Sequence, residues 1–353
     1  MDNNRYSRQI IFPGIGRDGQ EKLAKARVAV IGAGALGSVI AEELCRAGVG
    51  YILLADRDYV DITNLHRQFL YDEEDVKQEK PKAEAAADHL KKINSQVTVE
   101  PYVADIDSSN IEELVKGVDL LLDATDNFEV RALINEACHK HKKPWVYGAG
   151  LGAHGATMDI FPDGAVRPDG SPLPQGGPCL RCIIRDIPAP GSYPTCSTAG
   201  VIPMVTAIIA SIECAEAVKI ITGSEDLNTR YLDTDIWANT FDYVNILRDE
   251  ECQVCGTHRQ PHYEFLGKAS GAYTNAVCGQ DAYQVVPAEK GTIDFEDMAA
   301  KLSRAGAVRT ERFSLHFEGE GISFVLFKDG RAIIKGAKDE PSAKQIYSEY
   351  IGL

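Results

Sequence analysis

At residues 27–37 the chain leaves few architectures open. Arg27-Val28-Ala29-Val30-Ile31 is a short β-branched run that reads as a buried parallel strand. It enters Gly32-Ala33-Gly34-Ala35-Leu36-Gly37, and Ser38 to Ala47 continues in helical register with apolar residues at Val39, Ile40, Leu44 and Cys45. Tyr51-Ile52-Leu53-Leu54-Ala55 gives a second strand ending at Asp56. A charged helix is expected from about Pro81 to Asn94, strands at Val97–Val103 and Val118–Asp123, and a helix at Phe128–His141 that leads to Pro144-Trp145-Val146-Tyr147-Gly148. This alternation predicts an α/β, doubly wound, Rossmann-like and mainly parallel sheet with right-handed crossovers.

Residues 163–193 change character. They are rich in Pro and Gly and read as a long, partly mobile loop. A strongly apolar helix, Ile202 to Ile221, follows; it reads as core or dimer interface, with Glu213 and Glu216 breaking its apolar run. A second shift falls near Gly256–Gly267. Beyond it, strands are expected at Ala282–Val286, Arg312–Phe317, Ser323–Phe327 and Arg331–Ile334, and helices at Phe295–Ala305 and Ser342–Ile351. Phe327-Lys328-Asp329-Gly330-Arg331 reads as a hairpin turn, because Asp-Gly tolerates positive φ. The division expected is a domain at 1–258 and a small C-terminal α/β (α+β) domain at 268–353.

Composition narrows the partners. Among 353 residues the formal net charge is −15, with no compensating block of Lys and Arg, which argues against nucleic acid as the main partner. No apolar run reaches the ~18 residues of a membrane span, and the N-terminus leads into polar sequence. A cytoplasmic protein with no membrane partner is expected.

Gly32-x-Gly34-x-x-Gly37 between strand and helix lets backbone N–H groups approach phosphates at a helix N-terminus. Asp56 is placed to accept a ribose hydroxyl. Alone, these fit NAD, FAD or ATP, or a tight turn with no ligand. Asn64-Leu65-His66-Arg67-Gln68, Pro81-Lys82 and Asp123-Ala124-Thr125-Asp126-Asn127 all project from the carboxyl edge of the sheet. Arg67 and Lys82 bring positive charge for a triphosphate, and Asp126 a carboxylate able to hold Mg²⁺. A hydride-transfer site needs neither two cations nor such a carboxylate, so an NAD-dependent oxidoreductase explains less of the pattern. Asp123 reads as a helper of loop geometry.

The nine cysteines are Cys45, Cys138, Cys179, Cys182, Cys196, Cys214, Cys252, Cys255 and Cys278. Cys179-Leu180-Arg181-Cys182 and Cys252-Gln253-Val254-Cys255 offer four soft ligands in two chelating turns, the pattern of a closed, structural four-cysteine zinc site. Unrelated buried or redox cysteines are the alternative. Such a metal would tie the long loop to the end of the first domain. Cys45, Cys138 and Cys214 read as core, and Cys278 has no evident partner.

Taken in order, Arg5-Tyr6-Ser7-Arg8-Gln9, Gly32–Gly37, Asp56-Arg57-Asp58, Asn64–Gln68, Pro81-Lys82, Thr125-Asp126-Asn127, Cys196 and both Cys-x-x-Cys pairs resemble the ThiF/MoeB/HesA family of ubiquitin-activating-enzyme-like adenylyltransferases. The resemblance implies ATP-dependent adenylylation of the C-terminal Gly carboxylate of a ubiquitin-fold sulfur-carrier protein. It implies that Asp56 binds the ribose, that Asn64, Arg67 and Lys82 contact phosphates, and that Asp126 coordinates Mg²⁺. Asp58, Gln68 and Asn127 join the nucleotide contacts. It implies further that Arg8 enters a partner subunit's ATP site, hence a homodimer, and that Cys196 corresponds to the cysteine associated with a covalent or persulfide link to the carrier. At a helix start, a Cys196 thiolate would be favoured.

Details of residues 5–9, 56–61 and 123–128, with the C-terminal segments Asn275–Gly279 and Phe327–Gly330, look most like Gram-positive ThiF proteins. That implies a ThiS-like carrier of thiamine thiazole biosynthesis; a MoaD-like carrier of molybdopterin biosynthesis is the alternative. No rhodanese-like persulfide loop is evident. A non-catalytic scaffold is a third reading. Residues 163–177 depart from the family pattern, reading as a longer stretch than usual.

Overall fold

Apolar on both faces from Val28 onward, Arg27–Ile31 has to lie inside a sheet covered on both sides. In the computed structural model, which describes residues 5–188, 193–268, 273–276, 282–287, 292–319 and 321–352, it is β1, near the middle of an eight-stranded sheet. The other strands are β2 (Tyr51–Ala55), β3 (Thr98–Tyr102), β4 (Leu120–Asp123), β5 (Trp145–Leu151), β6 (His154–Ile160), β7 (Tyr231–Asp235) and β8 (Thr240–Val244). Their order is β3-β2-β1-β4-β5-β6-β7-β8. The first five pair in parallel, with Val28 opposite both Ile52 and Leu120, and β6 to β8 pair antiparallel.

The helices are α1 (Ser7–Ile11), α2 (Gly16–Leu23), α3 (Ala35–Ala47), α4 (Glu73–Lys77), α5 (Lys82–Ile93), α6 (Ile111–Lys116), α7 (Phe128–His141), α8 (Leu180–Ile183), α9 (Cys196–Ala199) and α10 (Pro203–Thr222). The strand period of two sorts the core into halves. Val28, Val30, Leu54 and Leu122 face α3, α5 and α10 through Ile40, Leu44, Leu90, Ile209 and Ile220. Ala29, Ile31, Leu53 and Leu121 face α6 and α7 through Leu114 and Ile134, and that half also holds Cys179, Cys252 and Cys255. Cys45, Cys138 and Cys214 are buried in the core.

α10 belongs to the core, and its two acids turn inward. Glu213 and Glu216 are 0 % and 5 % exposed, so they are interior groups and not a polar interruption facing water. Neither carboxyl oxygen of Glu213 has a hydrogen-bond partner among the described residues. That carboxyl fills the place a side chain at Gly148 would take, which explains the glycine. Burial, then Asp123, pushes the Glu213 pKa well up, and burial together with Glu216 does the same to Asp159 on β6. A carboxyl with a raised folded-state pKa favours the fold below the ordinary carboxylate range and loses that contribution as pH rises toward the raised value. Glu213→Gln should therefore retain more stability than the parent above neutral pH, by on the order of 2 kcal/mol. Thermal unfolding across pH measures this, and parallel curves for the two proteins would reject it.

Residues 163–177 are anchored to the domain. Val166 and Pro172 form an antiparallel bridge, Ala165 and Leu173 enter the core, Asp169 pairs with Lys22 at 2.8 Å, and Arg248 pairs with Asp163 at 2.6 Å. The buried Arg167 donates to the carbonyl of Ser224 at 3.0 Å. The Pro and Gly here shape a packed excursion, so this part of the stretch expected as a partly mobile loop is anchored.

The chain forms two compact units, Met1–Lys268 and Ala269–Leu353. The second contains β9 (Tyr273–Ala276), β10 (Ala282–Val286), β11 (Ala307–Thr310), β12 (Ser314–Gly319), β13 (Ile322–Phe327), β14 (Ala332–Lys335), α11 (Phe295–Leu302) and α12 (Glu340–Tyr350). Its sheet is antiparallel throughout, ordered β11-β12-β13-β14-β10-β9, with Met298, Leu302, Ala343 and Tyr347 of the helices packed on Phe317, Phe324 and Leu326. The module is thus α+β. The Asp329-Gly330 turn joins β13 to β14, with Gly330 at φ 86°. Cys278 lies outside the described residues. Among the described residues, no helix is long and apolar enough to cross a membrane.

Candidate nucleotide site and cysteine cluster

The carboxyl ends of β1, β2 and β4 lie side by side, so the loops that follow them converge. Gly32 takes φ 101°, and a Cβ there would run into the Ala124 carbonyl; the loop can turn only as glycine. Gly37 lets α3 close onto Gly32. Gly34 caps α3, and among the described residues no side chain caps the helix's first N–H groups, which is the arrangement that accepts an anion.

Asp56, at the end of β2, is bonded on both oxygens. Oδ2 accepts the Ala33 N–H and Oδ1 the Asp58 N–H, each at 2.7 Å. A carboxylate has about four acceptor sites, so room for a sugar hydroxyl is left. Burial, helped by Asp58 and opposed by Lys82, raises its pKa. Lys82 is the first residue of α5, only 7 % exposed, with Nζ 3.2 Å from Asp58 Oδ2. Burial would discharge it, but Asp58, Asp56 and Asp126 outweigh that and raise its pKa. The ammonium is therefore held charged in a nearly dry site.

The segment after β2 folds as a 3-10 turn, Ile62–Asn64, in which Asn64 accepts the Asp61 N–H at 3.2 Å. Arg67 donates to the Thr63 carbonyl at 2.8 Å, and Gln68 is buried, its Oε1 without a hydrogen-bond partner among the described residues and its Nε2 beside Gly34. Asn127 caps α7, accepting the Glu129 and Val130 N–H groups at 2.8 and 3.4 Å; this gives its carboxamide oxygen a helix-capping role that the nucleotide motif did not reveal. Asp126 is exposed and close enough to Lys82, Arg57 and Arg131 to raise their pKa values.

Arg57 and Arg131 are the cations that sequence reading passed over. Arg57 pairs with Asp105 at 3.0 Å. The signal for Arg57 was its place inside Asp56-Arg57-Asp58, whereas a helical arginine such as Arg131 usually reads as solvated. Arg8 stands exposed on α1, and no described contact joins it to Asp56, Lys82 or Asp126.

Cys196 begins the single-turn α9. Burial, then Asp126, raises its pKa against the opposing Arg67 and Arg131, which corrects the expectation of a favoured thiolate. One helical turn brings too little dipole to offset desolvation.

The two Cys-x-x-Cys turns meet. The sulfurs of Cys179, Cys182, Cys252 and Cys255 all lie within 4.8 Å of one another, with Cys179–Cys252 at 3.7 Å and Cys182–Cys255 at 3.4 Å. A tetrahedron with metal–sulfur bonds of about 2.3 Å has edges of about 3.8 Å, so the four thiols fit one ion of that kind.

The ThiF family model matches residues 6–254. The chain belongs to the ThiF family. Among relatives of this ThiF-family chain, the sulfur carrier protein ThiS adenylyltransferase of Bacillus subtilis is 39% identical over 351 residues, covering 99% of both chains. The sulfur carrier protein adenylyltransferase of Thermus thermophilus is 39% identical and covers 72% of this chain and 90% of its own. The SAMP-activating enzyme E1 of Haloferax volcanii is 37% identical, covering 72% and 88%. The crystal structure of E. coli MccB with ATP shares the fold at TM-score 0.59 and 23% identity, over 72% of this chain and 75% of that one.

Proposed function

We propose that the chain uses ATP to adenylylate the C-terminal Gly carboxylate of a small ubiquitin-fold sulfur carrier of the ThiS type, releasing pyrophosphate and serving sulfur transfer in thiamine thiazole biosynthesis. The observation that carries this is the likeness to the ThiS adenylyltransferase through both units, whereas the other two relatives reported above match 72% of the chain. A MoaD-like carrier is the second reading, favoured only by the adenylyltransferase and sulfurtransferase MOCS3 proteins, whose matches also stop near three quarters of this chain.

The site's residues supply the chemistry. The uncapped start of α3 receives phosphate, with Lys82 and Arg67 as cations and Asn64 and Gln68 as polar neighbours. Asp56 holds the ribose. A carboxylate approaching the α-phosphate meets like charge, and fixed cations in a dry site offset that repulsion best. Asp126 would hold Mg²⁺, which stabilises the leaving pyrophosphate when bound. The four cysteines would hold a structural zinc ion. Arg8, exposed on α1, is free to reach a second copy's site in a homodimer. Cys196, whose burial holds it as a thiol, has no part in adenylylation itself.

Carrier-dependent ATP–pyrophosphate exchange tests the reading, with ThiS-like and MoaD-like carriers in parallel. Exchange with the ThiS-like carrier is expected. Exchange with MoaD alone would reassign the carrier, and none with either would reject adenylylation of a sulfur carrier.

A further inference from the structure

One buried cation near the site is assigned to nothing so far. Arg131 lies one turn into α7, 5 % exposed, and its guanidinium forks three ways. Nε donates to Asp123 Oδ2 at 2.9 Å, while Nη2 donates to the carbonyls of Thr125 at 2.6 Å and Gly148 at 3.0 Å. The other Asp123 oxygen accepts the Thr125 N–H at 2.9 Å and its hydroxyl at 2.8 Å. Asn127 closes the far end by capping α7. The link between β4 and α7 is thus held at its start, middle and end. Within it only Asp126 presents an exposed side chain.

We propose that Arg131 is a positioning residue: by fixing the Thr125 carbonyl against β5, it sets the direction in which the next residue, Asp126, presents its carboxylate to the nucleotide site. This rests on the reading of Asp126 given above. The group that holds the loop is itself rigid. The Arg131 guanidinium packs against the rings of Phe128 and Tyr147, 5.2 and 5.3 Å from their centroids, and the Glu213 carboxyl occupies the space beside Gly148. Burial opposes its charge, but Asp123 more than compensates and the guanidinium stays cationic. Only arginine meets the geometry. A lysine can pair with Asp123, yet a single ammonium cannot reproduce a planar fork that also reaches carbonyls on two elements.

The experiment compares the full chain with Arg131→Lys and Arg131→Gln. It measures thermal unfolding, ATP affinity without divalent cation, Mn²⁺ affinity of the ATP-bound protein by electron paramagnetic resonance, and carrier-dependent exchange. Arg131→Lys keeps the buried ion pair, so it should fold and bind metal-free ATP within about two-fold of the parent. Its Mn²⁺ affinity should fall by about 10-fold or more. Its exchange rate should fall on the order of 100-fold, the penalty of a misplaced reacting group. Arg131→Gln should show the same split where it folds, and Arg131→Lys alone decides where it does not.

Arg131→Lys with parental Mn²⁺ affinity and exchange would overturn the proposal. So would a parallel loss of melting temperature, ATP affinity and Mn²⁺ affinity, which marks a merely structural residue. Parent protein that binds ATP but shows no exchange sinks adenylylation while the Mn²⁺ comparison still decides Arg131. Parent protein that binds no ATP sinks both.

Discussion

Lys82→Ala should lower carrier-dependent ATP–pyrophosphate exchange by on the order of 1,000-fold while leaving zinc content unchanged. The size follows from the surroundings. Lys82 is a nearly buried ammonium 3.2 Å from Asp58 and acting on Asp56 and Asp126. Removing it takes a cation from the phosphates and also leaves carboxylates facing one another without compensation. Asp56, whose pKa burial already raises and Lys82 holds back, would move further up, and its protonated form is the poorer acceptor for a ribose hydroxyl. The variant's residual ATP affinity should therefore climb with pH more steeply than the parent's, because rising pH favours the ionised carboxylate. Calorimetric titration of ATP at several pH values measures that slope. A variant retaining a tenth or more of parental exchange, by about the usual criterion for a catalytic cation, would remove Lys82 from the phosphate site.

The elements that were legible in the sequence are those whose burial is written locally. Apart from the exposed Arg27, β1 and β2 are β-branched or apolar because helices cover both faces, and their bounds match the runs that announced them. α7 matches as well, with Asn127 as its cap. The antiparallel extension β6–β8 was not legible. His154–Ile160 is rich in small residues, and every residue of β8 is exposed, so no apolar run marks either. Their pairing depends on the partner strand, which composition does not encode. The same limit applies inside the site. Asp56 and Lys82 stand in short motifs, whereas Arg131 acquires its meaning only when Asp123, Thr125 and Gly148 are brought around it. Glu213 is the sharpest case. A glutamate on a helix reads as a polar face until Gly148 leaves the space that receives it.

Cys255→Ser, or exhaustive chelation of the parent, should abolish stoichiometric zinc and cost about 4 kcal/mol of stability, the scale of a lost metal. Two Cys-x-x-Cys turns 73 residues apart meet here, and among the described residues no disulfide joins them. Without the ion, three buried thiols and Cys182 crowd one another with nothing to bind them. The damage should stay on one side of the sheet. The cysteines pack with Val254 and Phe265 in the half-core under α6 and α7, and Leu180 is tied to that face by its N–H bond to Asn135 at 3.0 Å. Asp56 and Lys82 depend instead on β2 and α5, whose Leu54, Ala85, Ala86 and Leu90 belong to the opposite half. Hydrogen exchange should accelerate first at residues 178–184 and 249–256, while ATP affinity falls by no more than about three-fold until the whole unit unfolds. Equal acceleration on both sides of the sheet would show that the cluster supports the entire unit and that the two half-cores do not behave independently.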